Sequence, residues 1–166
     1  MSEVPERASV VIVGGGIVGC SIAYHLTKRG VTDVVLLERN ELTSGTTWHA
    51  AGLVAQLRAS HNMTRLAAYS GELYEELEAE GLPTGFRRTG SIAVANNNER
   101  LEELVRGADM ARCFGVEANP VSVEELAAHW PLMNTDDLVG GIHVPRDAQT
   151  SPVETTIALS NAAKRR

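Results

Sequence analysis

The sequence predicts an α/β chain that opens on a Rossmann-like βαβ unit, and three observations predict it. An apolar run, Val10-Val11-Ile12-Val13, has strand composition and leads into Gly14-Gly15-Gly16-Ile17-Val18-Gly19, a GxGxxG turn. Ile17, Val18, Ile22, Ala23 and Leu26 then recur at helical spacing, and Gly30 supplies a C-terminal stop. A second apolar run, Val34-Val35-Leu36-Leu37, closes on Glu38, about 20 residues beyond the last glycine. In such a unit Gly14 permits the tight turn, Gly16 lets backbone approach a phosphate, and Gly19 lets helix and strand pack closely. A pyrophosphate meets the helix's free N–H groups and the positive end of its dipole, while Glu38 is positioned to accept hydrogen bonds from a ribose.

Arg39 to about His61 reads as a loop rich in Gly, Ala, Thr and Ser. Met63, Leu66, Ser70, Leu73, Tyr74 and Leu77 mark one face of a helix that stops at Gly81 and Pro83. Ser91–Ala95 reads as a short strand between Gly90 and the Asn96-Asn97-Asn98 turn. A helix from about Glu99 to Phe114 carries Leu101, Leu104, Val105 and Ala108 and ends at Gly115. Ser122 with Glu125 forms a capping box for a short helix that Pro131 terminates, and Leu138–Val144 reads as a strand. Ser151 with Glu154, and Pro152 at the first position, start a last helix ending in Lys164-Arg165-Arg166. The expected organisation is residues 1–60 as the βαβ unit with its following loop, 61–150 as a helical and short-strand segment, and 151–166 as a helix returning toward the sheet.

Composition narrows the function classes. With 43% hydrophobic residues the 166-residue chain can bury a core. Fifteen Lys and Arg against 21 Asp and Glu, a net charge of −6, argue against nucleic acid as a partner, so an anionic cofactor is held by local backbone geometry. Met1–Ser9 contains no apolar run, which reads as neither secretion signal nor membrane span and makes a cytoplasmic compartment the expectation. Cys20 and Cys113 have no metal-ligand spacing and read as small buried hydrophobes. A doubly wound fold needs further parallel strands beside the first two, and no third follows a crossover here, so the chain looks truncated.

A second motif, Ser44-Gly45-Thr46-Thr47-Trp48-His49-Ala50-Ala51-Gly52, lies just after the strand-end acid. Its small residues let backbone approach a ligand. His49 brings an imidazole, a nucleophile in its neutral form, though the residues alone favour a hydrogen-bonded loop histidine.

With these segments the chain resembles the FAD-dependent amine oxidoreductases of the sarcosine and dimethylglycine dehydrogenase type, within the D-amino-acid-oxidase-like group, and matches only their N-terminal portion. The resemblance rests on the two motifs above, on Leu37-Glu38, on Arg88-Thr89-Gly90-Ser91-Ile92 and on Val144 through Pro152; an alanine at 148, where the group often has glycine, is a small departure. It implies an N-terminal part of an FAD-binding fold joined to the start of a substrate domain, and FAD as cofactor, attached covalently through His49. It further implies hydride transfer to the flavin from the carbon beside the nitrogen of a small N-methylated amine, and oxygen or a partner flavoprotein as electron acceptor. Gly14, Gly15, Gly16, Ile17, Val18, Gly19, Glu38, Arg39, Ser44, Gly45, Thr46, Thr47, His49, Ala51, Gly52 and Leu53 are the expected cofactor-binding positions; no catalytic residue and no metal ligand is assigned. Arg87, Arg88 and Asp147 are weaker candidates for facing substrate, and Gln149 has no role. Two alternatives stay open: a nucleotide-binding module without catalysis, and a nicotinamide-dependent dehydrogenase, which leaves the His49 segment unexplained. The 166-residue chain alone is expected to bind FAD weakly or not at all, and not to turn over.

Overall fold

The computed structural model describes residues 5–166; residues 1–4, part of the stretch read as lacking an export signal, lie outside the described residues. In chain order the elements are β1 (Val10–Val13), α1 (Ile17–Lys28), β2 (Val34–Leu37), a 3-10 turn (Thr47–His49), β3 (Leu53–Val54), α2 (His61–Ala79), β4 (Arg87–Arg88), β5 (Ser91–Ala95), α3 (Asn98–Cys113), β6 (Asn119–Val121), α4 (Val123–His129), β7 (Gly140–Val144), β8 (Ala148–Gln149) and α5 (Pro152–Lys164). Two compact units result, one of Met1–Leu53, Glu72–Phe86 and Thr150–Arg166, the other of Val54–Gly71 and Arg87–Gln149. The second half of α2 and the Leu82–Phe86 segment therefore belong with the opening βαβ unit, although the chain returns to them only after the loop that follows β2.

In the first unit β1 and β2 pair in parallel, from Val10 opposite Val34 to Val13 opposite Leu37. Gly30, at φ +84°, closes α1 and its N–H donates to the Thr27 carbonyl at 3.0 Å. The buried stripe of α1 is Gly19, Cys20, Ala23 and Tyr24. Val18 is 70% exposed and Ile22 is exposed as well, so two of the large residues that mark the helix in the sequence face outward. The inner seam needs small side chains: Cys20 packs with Ala158 and Ala162 of α5, and close approach of the two helices lets Tyr24, Leu73, Leu77, Leu82 and Leu159 fill the remaining core. Each fully buried leucine of that set contributes about 1.5–3 kcal/mol of burial. β1 is covered less well, with Val13 84% exposed.

In the second unit β7 is the central strand of a three-stranded antiparallel sheet ordered β5-β7-β6, with Ser91 opposite Val144 and Val121 opposite Gly141. Ile142 and Val144 of β7 pack with Ala108 and Ala111 of α3, Val116 and Ala118. Cys113 is exposed, which corrects its reading as a buried hydrophobe: two residues beyond Ala111, it lies on the opposite side of α3 from the buried seam. Met63 and Leu66, on the N-terminal half of α2, are also exposed, while Leu73 and Leu77 are buried in the first unit.

The helix starts follow the expected chemistry. At α4 both halves of the capping box form: the Ser122 hydroxyl accepts from the Glu125 N–H at 3.3 Å, and the Ser122 N–H donates to the Glu125 carboxylate at 2.7 Å. At α5 the Ser151 hydroxyl accepts from the Glu154 N–H at 3.3 Å and Pro152 takes the first turn, so the serine caps without the reciprocal carboxylate bond. The strand expected from Leu138 begins at Gly140.

Candidate cofactor-binding site

The glycine turn is built by contacts that exclude side chains. Gly14 sits at φ +112°, and its N–H donates to the Leu37 carbonyl at 2.8 Å, tying the end of β1 to the end of β2. A Cβ on Gly19 would overlap the Gly14 carbonyl oxygen, so helix and strand can meet here only through glycine. Gly16 is the N-cap of α1 in extended conformation, with no side-chain cap of its own and no acidic residue in the first turn that would repel an anion. Ladder bonding begins with the Cys20 N–H donating to the Gly16 carbonyl at 3.0 Å. Among the described residues the N–H groups of Val18 and Gly19 have no acceptor, and they are the donors a phosphate requires.

Gly15 is fixed from both sides. Its N–H donates to Glu38 Oε2 at 2.8 Å, and its carbonyl accepts from the Thr43 N–H at 3.0 Å. The other Glu38 oxygen accepts from the Asn40 N–H at 2.9 Å. The Asn40 and Gly15 N–H groups hold the Glu38 carboxyl below its ordinary range. Each carboxylate oxygen keeps acceptor capacity, so Glu38 can take ribose hydroxyls while still bracing the turn. Thr43 is buried at φ +73°, a conformation rare for a β-branched residue, and no sequence signal points to it. A cavity of about 580 Å³ opens beside β2, with Leu36, Glu38, Leu42 and Lys164 in its lining.

The second motif forms a tight turn. Arg39, Ser44, Gly45 and Thr46 are exposed, and the 3-10 turn is closed by the His49 N–H to the Thr46 carbonyl at 3.2 Å and the Ala50 N–H to the Thr47 carbonyl at 3.1 Å. Thr47 is buried, and its Oγ1 accepts from the Ile17 N–H at 3.1 Å, taking up the first donor of α1. His49 is exposed; its ring lies 3.9 Å from that of Trp48, centroid to centroid, and no hydrogen bond holds it among the described residues. A hydrogen-bonded loop histidine is therefore not what forms. Ala51 and Leu53 are exposed too, but Gly52, at φ +74°, presses against Thr150: the Thr150 N–H donates to the Gly52 carbonyl at 2.8 Å, and a Cβ at 52 would overlap the Thr150 carbonyl oxygen.

Thr150 leads to a network that sequence reasoning missed. The Thr84 carbonyl accepts from Thr150 Oγ1 at 2.8 Å, Thr155 Oγ1 at 3.1 Å and the Ser151 N–H at 2.9 Å. Glu78 in turn accepts from the Thr84 N–H at 2.6 Å and the Thr84 hydroxyl at 2.9 Å, which holds its carboxyl below the ordinary range. The available signal was three threonines, Thr84, Thr150 and Thr155, that α-helix and strand patterns do not explain.

The weaker substrate candidates resolve otherwise. Asp147 is buried and structural: Oδ1 accepts from the Gln56 N–H at 2.8 Å and Oδ2 from the Ser91 hydroxyl at 2.5 Å. Arg88 donates to the Arg146 carbonyl at 2.9 Å, as part of the β4–β8 corner.

A parallel βαβ unit with a pinched glycine turn, open first-turn donors and a strand-end carboxylate defines a dinucleotide-binding α/β protein. The comparisons sharpen this class. The chain belongs to the FAD-dependent oxidoreductases of the DAO family, whose model matches residues 9–166, and the cradle geometry fits FAD as the cofactor. Human mitochondrial sarcosine dehydrogenase is 44% identical over 98% of this chain and 18% of its own length. Rat mitochondrial dimethylglycine dehydrogenase is 40% identical over 98% and 19%. The mitochondrial pyruvate dehydrogenase phosphatase regulatory subunit of mouse is 43% identical over 96% and 18%. L-proline dehydrogenase from P. horikoshii superimposes with a TM-score of 0.91 at 29% identity, over 98% of this chain and 43% of that one. The chain thus spans about a fifth of the length of the curated relatives it matches. Their mitochondrial names lend no support to the cytoplasmic compartment expected from composition. No described helix is long and apolar enough to cross a membrane.

Proposed function

We propose that this chain is the FAD-binding portion of an oxidoreductase that oxidises the C–N bond of small N-methylated amino acids or amines, sarcosine and dimethylglycine among them, and holds its flavin covalently through His49. The observation that carries the reading is the Thr47 to Ile17 hydrogen bond, which links the turn bearing His49 directly to the first donor of the phosphate cradle. Relatives named for sarcosine and dimethylglycine oxidation support the substrate class.

In this reading the Val18 and Gly19 N–H groups hold the pyrophosphate and Glu38 accepts from the ribose hydroxyls. FAD supplies hydride acceptance from the carbon beside the substrate nitrogen; the protein supplies position and electrostatics. In the attachment at His49, a bond between a ring nitrogen and the flavin methyl carbon replaces one methyl C–H bond and the imidazole N–H bond. Dioxygen would take up the two electrons and two protons released, giving hydrogen peroxide. Oxygen or a partner flavoprotein would serve as the electron acceptor.

The test uses protein expressed from the complete open reading frame. Flavin should remain with the polypeptide after acid precipitation, the His49→Ala variant should release all of it, and the unsubstituted protein should reduce a dye on addition of an N-methylated amine. Release of all flavin from the unsubstituted protein, or retention by His49→Ala, refutes the attachment. A second reading, a flavin-binding module without catalysis, is favoured by the regulatory subunit among the relatives. Acid-stable flavin with no dye reduction across a panel of N-methylated amines would select it.

A further inference from the structure

We infer that Thr47 is a positioning residue whose hydroxyl sets His49 for flavin attachment, an inference that rests on the proposed role of His49. The first turn of α1 needs acceptors for its free N–H groups, and a serine or threonine at the N-cap is the usual local solution. Here the N-cap is Gly16, which has no side chain, and the acceptor comes from thirty residues further along the chain, at Thr47. A long-range bond of this kind caps the helix and also fixes the segment that supplies the hydroxyl.

That segment is short. Thr47 begins the 3-10 turn whose two backbone bonds, His49 to Thr46 and Ala50 to Thr47, carry its position to His49 within two residues. At the far end Gly52 is held by the Thr150 N–H and has no room for a Cβ. Residues 47–52 are therefore clamped at both ends, while the His49 ring between them is exposed and braced only by the Trp48 ring among the described residues. A nucleophile carried on a clamped span samples few positions, and reaction at a fixed neighbouring centre is accelerated accordingly. Thr47 Oγ1 accepts one bond from Ile17, and its own O–H remains a donor available to an anion in the cradle. The isosteric loss of that oxygen separates the two roles: a tether governs how much bound flavin becomes attached, whereas a simple ligand governs how much flavin is bound.

The experiment compares Thr47→Val and Thr47→Ser in protein from the complete open reading frame, measuring total FAD and its acid-stable fraction. Apoprotein given FAD in the presence of dioxygen also yields the attachment rate. Thr47→Val should still bind FAD but attach it about tenfold more slowly or worse, with a correspondingly lower acid-stable fraction. Thr47→Ser should restore attachment toward the unsubstituted level. Should Thr47→Val fail to fold, Thr47→Ala is measured in the same way. The inference is overturned if the valine variant attaches flavin at the unsubstituted rate, if serine fails to rescue, or if total and acid-stable flavin fall in proportion. Absence of acid-stable flavin in the unsubstituted protein would instead remove the role of His49, and this inference with it, which distinguishes the two failures.

Discussion

Glu38 and Asp147 are both acidic residues next to the end of a strand, one following β2 and the other preceding β8, and they have opposite fates. Glu38, at the end of the parallel pair, braces Gly15 and Asn40 through backbone N–H groups and stays half-exposed in the lining of the cavity beside β2. Asp147, in the β4–β8 corner of the second unit, is buried, and both of its oxygens are engaged by Gln56 and Ser91. A carboxylate that keeps acceptor capacity at an open mouth can serve a ligand, whereas one whose bonds are consumed by the fold serves the fold.

Substitutions at the cradle and at the two carboxylates should differ in kind as well as in size. The largest effect belongs to the cradle's packing: Gly19→Ala places a Cβ into the Gly14 carbonyl and should cost about 3 kcal/mol in chemical denaturation, together with loss of bound FAD. A stable, FAD-binding Gly19→Ala protein would show that the pinched turn is not obligatory. Asp147→Ala comes next. It strands the buried Gln56 N–H and the Ser91 hydroxyl and should cost about 2 kcal/mol, with FAD per folded molecule unchanged; a selective loss of FAD would erase the distinction from Glu38.

The smallest effect is at Glu38. Measured in the His49→Ala background, where flavin is free to dissociate, Glu38→Gln should weaken FAD about tenfold, as expected when a charge-assisted bond becomes a neutral one. Backbone donors at Asn40 and Gly15 depress the folded pKa of Glu38, so its contribution is complete above the unfolded value of about 4.3 and is lost as pH falls through the lower folded value. FAD binding should therefore weaken as pH falls through the depressed folded value in the His49→Ala protein, and Glu38→Gln should lack that part of the titration.

The cradle was legible because its physics is local. Gly14, Gly16 and Gly19 are demanded by one turn and one helix–strand contact, Glu38 follows at a fixed remove, and strand and helix periodicity frame them. The capping box at α4 and the serine cap of α5 were legible for the same reason. The two-residue strands β3, β4 and β8 are too short to show alternation, and β6 contains Pro120, which an edge strand tolerates and which masks the strand in sequence. Val18 and Ile22 misled because helical spacing marks a helix without saying that its tightest seam must be lined by Gly19, Cys20 and Ala23. Thr43, Thr84 and Thr150 were invisible, since their roles arise from partners remote in sequence or, at Thr43, from a backbone angle that threonine seldom adopts.

The double restraint on Gly15 has a thermodynamic consequence. With its N–H held by Glu38 and its carbonyl by Thr43, the peptide planes on either side of Gly15 are both oriented before any coenzyme arrives. The ordering of the anion-binding loop is thereby charged to folding, and association can proceed without a disorder-to-order penalty, so preorganisation rather than net charge is what lets an acidic chain capture a dianionic ligand.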